Sequence, residues 1–216
     1  KSVNPYRGCE HGCIYCYARP THAYHDLSPG LDFESRLFAK PDAAKLLRAE
    51  IAKKGHVPTP IAFGTNTDAY QPIARDWRIM RQCIEVLAEA NHPLTITTKS
   101  DRVLRDLDLL APMAEKGLVA VAISVTMLDP ALHRILEPRA PHPRKRLAAL
   151  KWLADAGIPA HVNVAPVIPA INDGEIEAIL EQAALMGAKT ATWIPLRLPH
   201  EVAPLFQDWL QVHFPE

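Results

Sequence analysis

Two rhythms of apolar and polar positions run along this chain. Short, nearly continuous apolar runs bounded by breakers recur at residues 60–64, 94–98, 118–125, 160–167 and 190–194, the pattern of buried parallel strands. A further short strand is expected at 2–6. Between these runs, apolar residues return at helical spacing over 41–54, 75–90, 102–116, 144–156 and 174–186, and a last such stretch, 202–214, closes the chain. Ala44, Leu47 and Ile51 share one face of the first, and Ile79, Cys83, Val86, Leu87 and Ala90 one face of the second. Gly55, Gly117, Gly157 and Gly187 stand where helix ends take a left-handed cap, and Asn172 or Asp173 is placed to start the fifth helix. Strand and helix thus alternate about six times, which predicts an α/β protein with a parallel sheet and crossover helices. An open doubly wound sheet and a barrel share this periodicity, and in both ligands gather at the carboxyl ends of the strands.

Composition narrows the function classes. The chain has 216 residues, 48% apolar and 22% charged, which excludes a disordered protein and allows one sizeable core. Formal net charge is zero, so no global field draws nucleic acid or an anionic membrane, and no apolar run approaches the roughly 20 residues of a membrane span. No membrane partner is expected. The first residues carry no secretory signal, and the chain does not open on Met. It is expected to be one domain, residues 1–216, of a longer protein. Three of the four cysteines crowd into residues 9–16, which points to a metal site in a reducing cytoplasm rather than a disulfide framework.

That crowding carries the chemistry. Gly8-Cys9-Glu10-His11-Gly12-Cys13-Ile14-Tyr15-Cys16 has the spacing Cys-x₃-Cys-x₂-Cys, with an aromatic residue before the third cysteine. One short loop with these offsets can wrap three thiolates around a corner of a cubane, and Gly8 and Gly12 allow its tight turns. Three ligands leave one iron of a 4Fe–4S cluster open, as a catalytic metal requires, whereas an electron-carrying cluster takes four cysteines. The competing account is a zinc-stabilised binding module with no chemistry, its fourth ligand drawn from His11, His22, His25 or Cys83. It lacks the paired Cys-x₂-Cys arms of such modules. Cys83, on the apolar stripe of its helix, is expected in the core.

The loop, placed after the first strand, resembles the signature of the radical S-adenosylmethionine (SAM) superfamily. Within it the likeness is to the spore photoproduct lyase family and its bacterial relatives. Asn4-Pro5-Tyr6-Arg7-Gly8-Cys9, Gly64-Thr65-Asn66-Thr67-Asp68-Ala69-Tyr70-Gln71-Pro72, Thr97-Thr98-Lys99-Ser100 and Leu136-Glu137-Pro138-Arg139-Ala140-Pro141 carry it. The resemblance implies a partial (β/α)6 barrel, with Cys9, Cys13 and Cys16 holding a 4Fe–4S cluster whose fourth iron is chelated by SAM. It also implies reductive SAM cleavage, hydrogen abstraction from an unknown substrate, and a low-potential electron donor such as flavodoxin or ferredoxin. By the same likeness Tyr15 would seat the adenine, Thr67 and Asp68 the amino group of SAM, Lys99 its carboxylate and Ser124 the ribose. Asn163 and Arg139 are weaker candidates for SAM contact, and Arg139 has the alternative of a surface pair with Glu137. The lyase returns a hydrogen atom from a cysteine just after the second strand, and this chain has Thr65 there. Photoproduct repair, a DNA-repair lyase activity on a pyrimidine lesion, is therefore the alternative and not the first expectation. Tyr70 could substitute as a redox-active group, though loop tyrosines more often pack.

Three remaining features are read conservatively. His22, His25 and Asp26 lie in the long connection 17–40, expected to be a solvated loop, a lid or the seat of a short helix. Arg139, Arg144, Lys145 and Arg146, with His142, form the one dense basic run. It could meet a nucleic-acid backbone, and a solvated helix start is the expected account. His200 and Glu201 are placed to line the open end.

Overall fold

The computed structural model describes residues 1–215. It opens with β1 (Ser2–Val3) and β2 (Tyr6–Arg7), followed by the cysteine loop, a 3-10 turn (Arg19–His25), α1 (Leu31–Ser35) and β3 (Phe38–Ala39). The repeating units follow: α2 (Ala43–Ile51), β4 (Ile61–Phe63), α3 (Ala74–Trp77), α4 (Ile79–Glu89), β5 (Leu94–Thr98), a 3-10 turn (Asp101–Asp106) and α5 (Leu107–Glu115). Then come β6 (Val119–Ser124), α6 (Pro130–Leu136), α7 (Pro143–Asp155), β7 (Ala160–Val167), α8 (Ile176–Leu185), β8 (Thr190–Pro195) and α9 (Val202–His213). Six strands form one sheet in the order β1-β4-β5-β6-β7-β8, every neighbouring pair parallel. The sheet is that of a partial α/β barrel, as expected. No helix among the described residues is long and apolar enough to cross a membrane.

Side-chain alternation sets the two faces of the sheet apart. Ile61, Phe63, Leu94, Ile96, Val121, Ile123, Ala160 and Val162 join the main core with apolar residues of α2, α4, α5, α7 and α8. On the other face the register aligns Thr97, Ala122, His161 and Thr190 in one row, and Ser124, Asn163 and Thr192 in the next. β4 to β7 are therefore packed on one face, with short or polar side chains on the other, whereas β8, expected to be buried, is exposed along its length because it forms the edge of the sheet. The apolar runs looked continuous because Ala and Thr occupy those alternate positions. A second core cluster at the strand ends, including Tyr15, Met127, Leu136, Phe206 and Trp209, ties α6 and α9 to the cysteine loop.

Several details differ from expectation. The helix expected over 75–90 breaks at Arg78, whose φ of 48° separates α3 from α4. Asn172 caps no helix, because its Oδ1 accepts from Ile168 N at 2.6 Å while its Nδ2 donates to the Thr126 and Pro166 carbonyls at 2.8 and 2.9 Å, and α8 begins after a 3-10 turn. Helix α6 was not expected. Asp129 caps it by accepting from Ala131 N at 2.7 Å, and Pro130 opens it. The connection 17–40 carries short helical segments, one of the forms expected of it, and packs around buried His22, whose Nε2 lies 2.9 Å from the Arg36 carbonyl and whose ring meets Phe33 edge-on, so of the expected solvated cluster only His25 and Asp26 are exposed.

Candidate active site

Cys9, Cys13 and Cys16 are free thiols on the loop between β2 and the first 3-10 turn. Side chains from elsewhere hold that loop in shape. Buried Arg19 donates to the Cys13 carbonyl from Nε at 3.0 Å and from Nη2 at 2.9 Å. From the other side, Gln71 accepts from Glu10 N at 2.9 Å and donates to the Gly8 carbonyl at 3.0 Å. Arg139 donates to the Glu10 carbonyl at 2.6 Å and pairs with Glu34. Gly12, at φ 70°, lies beneath that guanidinium; a Cβ there would come within 2.3 Å of Arg139 Nη2.

Burial is the largest influence on the three thiols. It pushes Cys13 up to about 12, Cys9 well above its ordinary value, and Cys16 upward. Thiols in this state become ligands when a bound cation displaces their protons. Among the described residues no three His, Cys, Asp or Glu side chains close around a point as one metal ion would need. All three cysteines instead line a common cavity of about 100 Å³ with Asp68, Lys99 and Ser124. This donor set fits a group larger than a single ion. Of the alternative fourth ligands of a zinc site, His22 is engaged at Arg36, His25 is stacked on Phe38 at 4.4 Å and Cys83 lies in the main core, whereas buried His11 shares the cysteine cavity, its Nε2 3.2 Å from Asp68.

Beside the loop sits a buried charged group that the sequence did not advertise. Glu137 and Arg146 are both fully buried, and they pair with each other. Glu137 also accepts from the Tyr15 hydroxyl, and Lys99 Nζ lies 3.8 Å from its Oε1 and 5.7 Å from the centre of the Tyr15 ring. Burial opposes the Glu137 charge, yet Arg146 and Lys99 outweigh it and lower its pKa to about 2. Burial likewise opposes the Lys99 charge, and Glu137 and Cys13 reverse that and raise its pKa. Arg146 reaches further, donating to the Pro141 carbonyl at 2.6 Å and the Ser124 carbonyl at 3.1 Å. The surface pair of Arg139 with Glu137 does not form, and Arg146 is not part of a solvated helix start. Arg146 shares a face of α7 with Leu150 and Leu153 at spacings of four and seven, which is the signal that could have revealed it.

A second cavity of about 700 Å³ opens off the first, sharing Cys13, Cys16, Tyr17 and Lys99. Tyr15 forms part of its wall, and Ala165, Pro166 and residues 194–199 at the ends of β7 and β8 close the far side. The size suits a small organic ligand. Thus the carboxyl ends of the strands, the cysteine loop and one ammonium group meet at one place.

Comparison with known proteins gives the family. The model of the Radical SAM superfamily matches residues 3–183. This chain belongs to the radical SAM superfamily. Membership implies an iron–sulfur cluster and SAM. An uncharacterised protein of Mycobacterium tuberculosis is 41% identical over the whole chain, and one of Methanocaldococcus jannaschii is 28% identical over 99% of it. The chain spans 64% of the mycobacterial relative and 76% of the archaeal one. Among solved structures, a spore photoproduct lyase variant with bound AdoMet and dinucleoside spore photoproduct superposes with a TM-score of 0.73 at 18% identity, over all of this chain and 61% of that one. Streptococcus suis SuiB bound to S-adenosylmethionine gives 0.63 at 13% identity, over 98% of this chain and 44% of the other. Both likenesses are of fold.

Within this radical SAM fold the expected SAM contacts separate into groups. Lys99 stands on the wall common to both cavities, with the Glu137 contact at 3.8 Å as its one ion pair among the described residues. Tyr15 faces the larger cavity, and Thr67 and Ser124 face the smaller. Thr67 already donates to the Tyr6 carbonyl at 2.7 Å. Asp68 is more committed: it accepts from Thr98 Oγ1 at 2.7 Å, Tyr70 N at 2.8 Å and Lys99 N at 2.8 Å, with His11 Nε2 at 3.2 Å. Burial opposes its charge, but His11, Thr98 and the Lys99 amide lower its pKa to about 2. Asp68 therefore fixes the Lys99 backbone and the cysteine loop together. Asn163 pairs in register with Ser124 and lines neither cavity. Arg139 lies on the outer side of the loop, away from both.

The catalytic candidates also lie off these walls. Thr65 is exposed, accepting from Asn4 Nδ2 at 3.2 Å, and its carbonyl accepts from Tyr17. Tyr70 is buried and donates to Asp106 at 2.8 Å, facing a different pair of cavities. Its hydroxyl packs as loop tyrosines usually do.

Gly64 carries the turn from β4 into this site. Its φ is 79°, and a Cβ would fall 1.9 Å from the Thr97 carbonyl oxygen. Gly64→Ala is expected to cost about 1–3 kcal/mol, read as a drop in Tm of several degrees. An unchanged melting curve would show that the two strand ends do not need this close approach.

Proposed function

We propose that this chain is the core of an enzyme that cleaves SAM reductively at a 4Fe–4S cluster and directs the resulting hydrogen abstraction at an unknown substrate. The supporting observation is one juxtaposition: three buried free cysteines and the Lys99 ammonium share walls where the strands end. Cys9, Cys13 and Cys16 would hold the cluster. When bound, it would supply one electron to the sulfonium of SAM, itself drawn from a low-potential donor such as flavodoxin or ferredoxin.

The chain's own residues do the rest. Lys99 meets the SAM carboxylate through a charge-assisted hydrogen bond. Glu137 keeps that ammonium charged and aimed, and Tyr15 fixes Glu137 while offering its ring to the larger cavity. Ser124 and Thr67 supply hydroxyl groups to the smaller cavity, and Asp68 sets the Lys99 backbone. Ile194, Pro195, Leu196, Leu198 and Pro199 give the larger cavity an apolar wall. The reducing cytoplasm is the compartment this chemistry requires.

Anaerobically reconstituted protein with dithionite and SAM is expected to release 5′-deoxyadenosine, measured chromatographically. Lys99→Met is expected to keep the cluster absorbance and raise KM for SAM about 10- to 100-fold, the worth of a charge-assisted hydrogen bond. Reconstituted protein that binds iron and sulfide but never cleaves SAM would sink the proposal.

A further inference from the structure

Outside the cysteine cavities, two other cavities of about 480 and 440 Å³ adjoin and share Tyr70, Arg102 and Arg105. Their walls come from the connections after β4, β5 and β6. Arg78 and Arg81 stand at one end, Arg102 and Arg105 in the middle, and Arg139 and Lys145 at the other end. For a chain with equal numbers of acidic and basic residues, this is a strong local excess of positive charge.

The neighbouring acids do not neutralise it. Arg81 is paired with Asp106 and Asp108, and Arg139 with Glu34. Arg75, also on the wall, pairs with Asp76. Asp106 is further occupied by the Tyr70 hydroxyl. Arg78, Arg102, Arg105 and Lys145 form no ion pair among the described residues, and only Asp101 on these walls is an acid without one. Arg102 Nη1 is buried and has no hydrogen-bond partner, which costs free energy unless a ligand supplies an acceptor. Guanidinium groups offer paired N–H donors in a fixed fork that matches phosphate oxygens.

We propose that this groove binds phosphate groups, with Arg102 and Arg105 at its centre and Arg78 and Lys145 at its ends. The groove shares only His11 with the smaller cysteine cavity and does not rest on the chemistry proposed for it. Two sources of phosphate fit. A nucleic-acid strand would run the length of the groove and engage all four cations, whereas a compact phosphorylated molecule would use the central pair.

The test uses the full-length, cluster-loaded protein under anaerobic conditions. A fluorescein-labelled single-stranded oligonucleotide is titrated by anisotropy at several salt concentrations, with pyrophosphate as the small probe. Four phosphate contacts give a log–log salt slope of about −2.8, or about a 50-fold loss of affinity between 50 and 200 mM salt. Arg102→Gln with Arg105→Gln is expected to halve that slope, and Arg78→Gln with Lys145→Gln to do the same. Pyrophosphate binding that depends on the central pair alone, with no oligonucleotide binding, supports the compact ligand. Arg78, Arg105 and Lys145 are exposed, so their replacements leave the fold intact, and an unchanged cluster spectrum and circular dichroism verify it. Failure of both probes to bind, or binding undiminished when all four cations are glutamine, would overturn the proposal.

Discussion

Cys13→Ala is expected to yield a folded protein with no cluster absorbance in the near-UV and visible range and no detectable 5′-deoxyadenosine. The reason is the donor count. Three cysteines line the cavity, and the histidine and carboxylate that share its wall, His11 and Asp68, lie against each other at 3.2 Å and do not close with the cysteines around one point. The loop itself should persist, because Arg19 holds position 13 through its carbonyl and not its side chain. Cys83→Ala is the matching control. That thiol sits in the main core, and burial pushes its pKa up to about 12, so its loss should touch packing alone and leave iron content and SAM cleavage unchanged. Iron stoichiometry and turnover in the two variants check the pair of outcomes. Full iron and activity in Cys13→Ala would contradict the assignment of ligands.

The second large effect concerns stability. Arg146→Met removes the guanidinium from a fully buried pair and leaves Glu137 with Lys99 at 3.8 Å as its one remaining cation. Stranding a buried carboxylate in this way costs about 3–5 kcal/mol, measurable by denaturant unfolding. Arg146→Met combined with Glu137→Gln should recover part of that loss, because the fully buried carboxylate is gone and the charge left without its partner, Lys99, stands on a cavity wall. A single variant within 1 kcal/mol or so of the parent would mean the carboxylate finds solvent. The sign of the pH dependence follows from the lowered Glu137 pKa. The pair's contribution is fully present above the usual carboxylate value of 4.5 and is lost as pH falls toward about 2.

Much of the frame could be read in the sequence. The strands at Leu94–Thr98 and Ala160–Val167 lie at the expected residues, since each apolar run is bounded by a helix stop and a polar connection. The cysteine loop was legible because its spacing is rarer than any single residue in it. Helix α6 was hidden: its Leu132 and Leu136 give too short a periodic run to stand out between a strand and a longer helix. Buried ion pairs were hidden for a different reason. Glu137, Arg146 and Arg19 look like surface residues in one dimension, and only the fold brings a carboxylate from one connection against a guanidinium on the next helix. Asp68 was recognisable as important, but sequence could not show that this carboxylate on the cavity wall also accepts from Thr98, Tyr70 and Lys99.

The brace around the cysteine loop reaches far along the chain. Arg19, Gln71 and Arg139 hold the loop's main-chain groups from three separate connections. The spacing of the three sulfurs is thereby tied to how those connections pack, so a substitution distant in sequence can misplace a thiol without touching it.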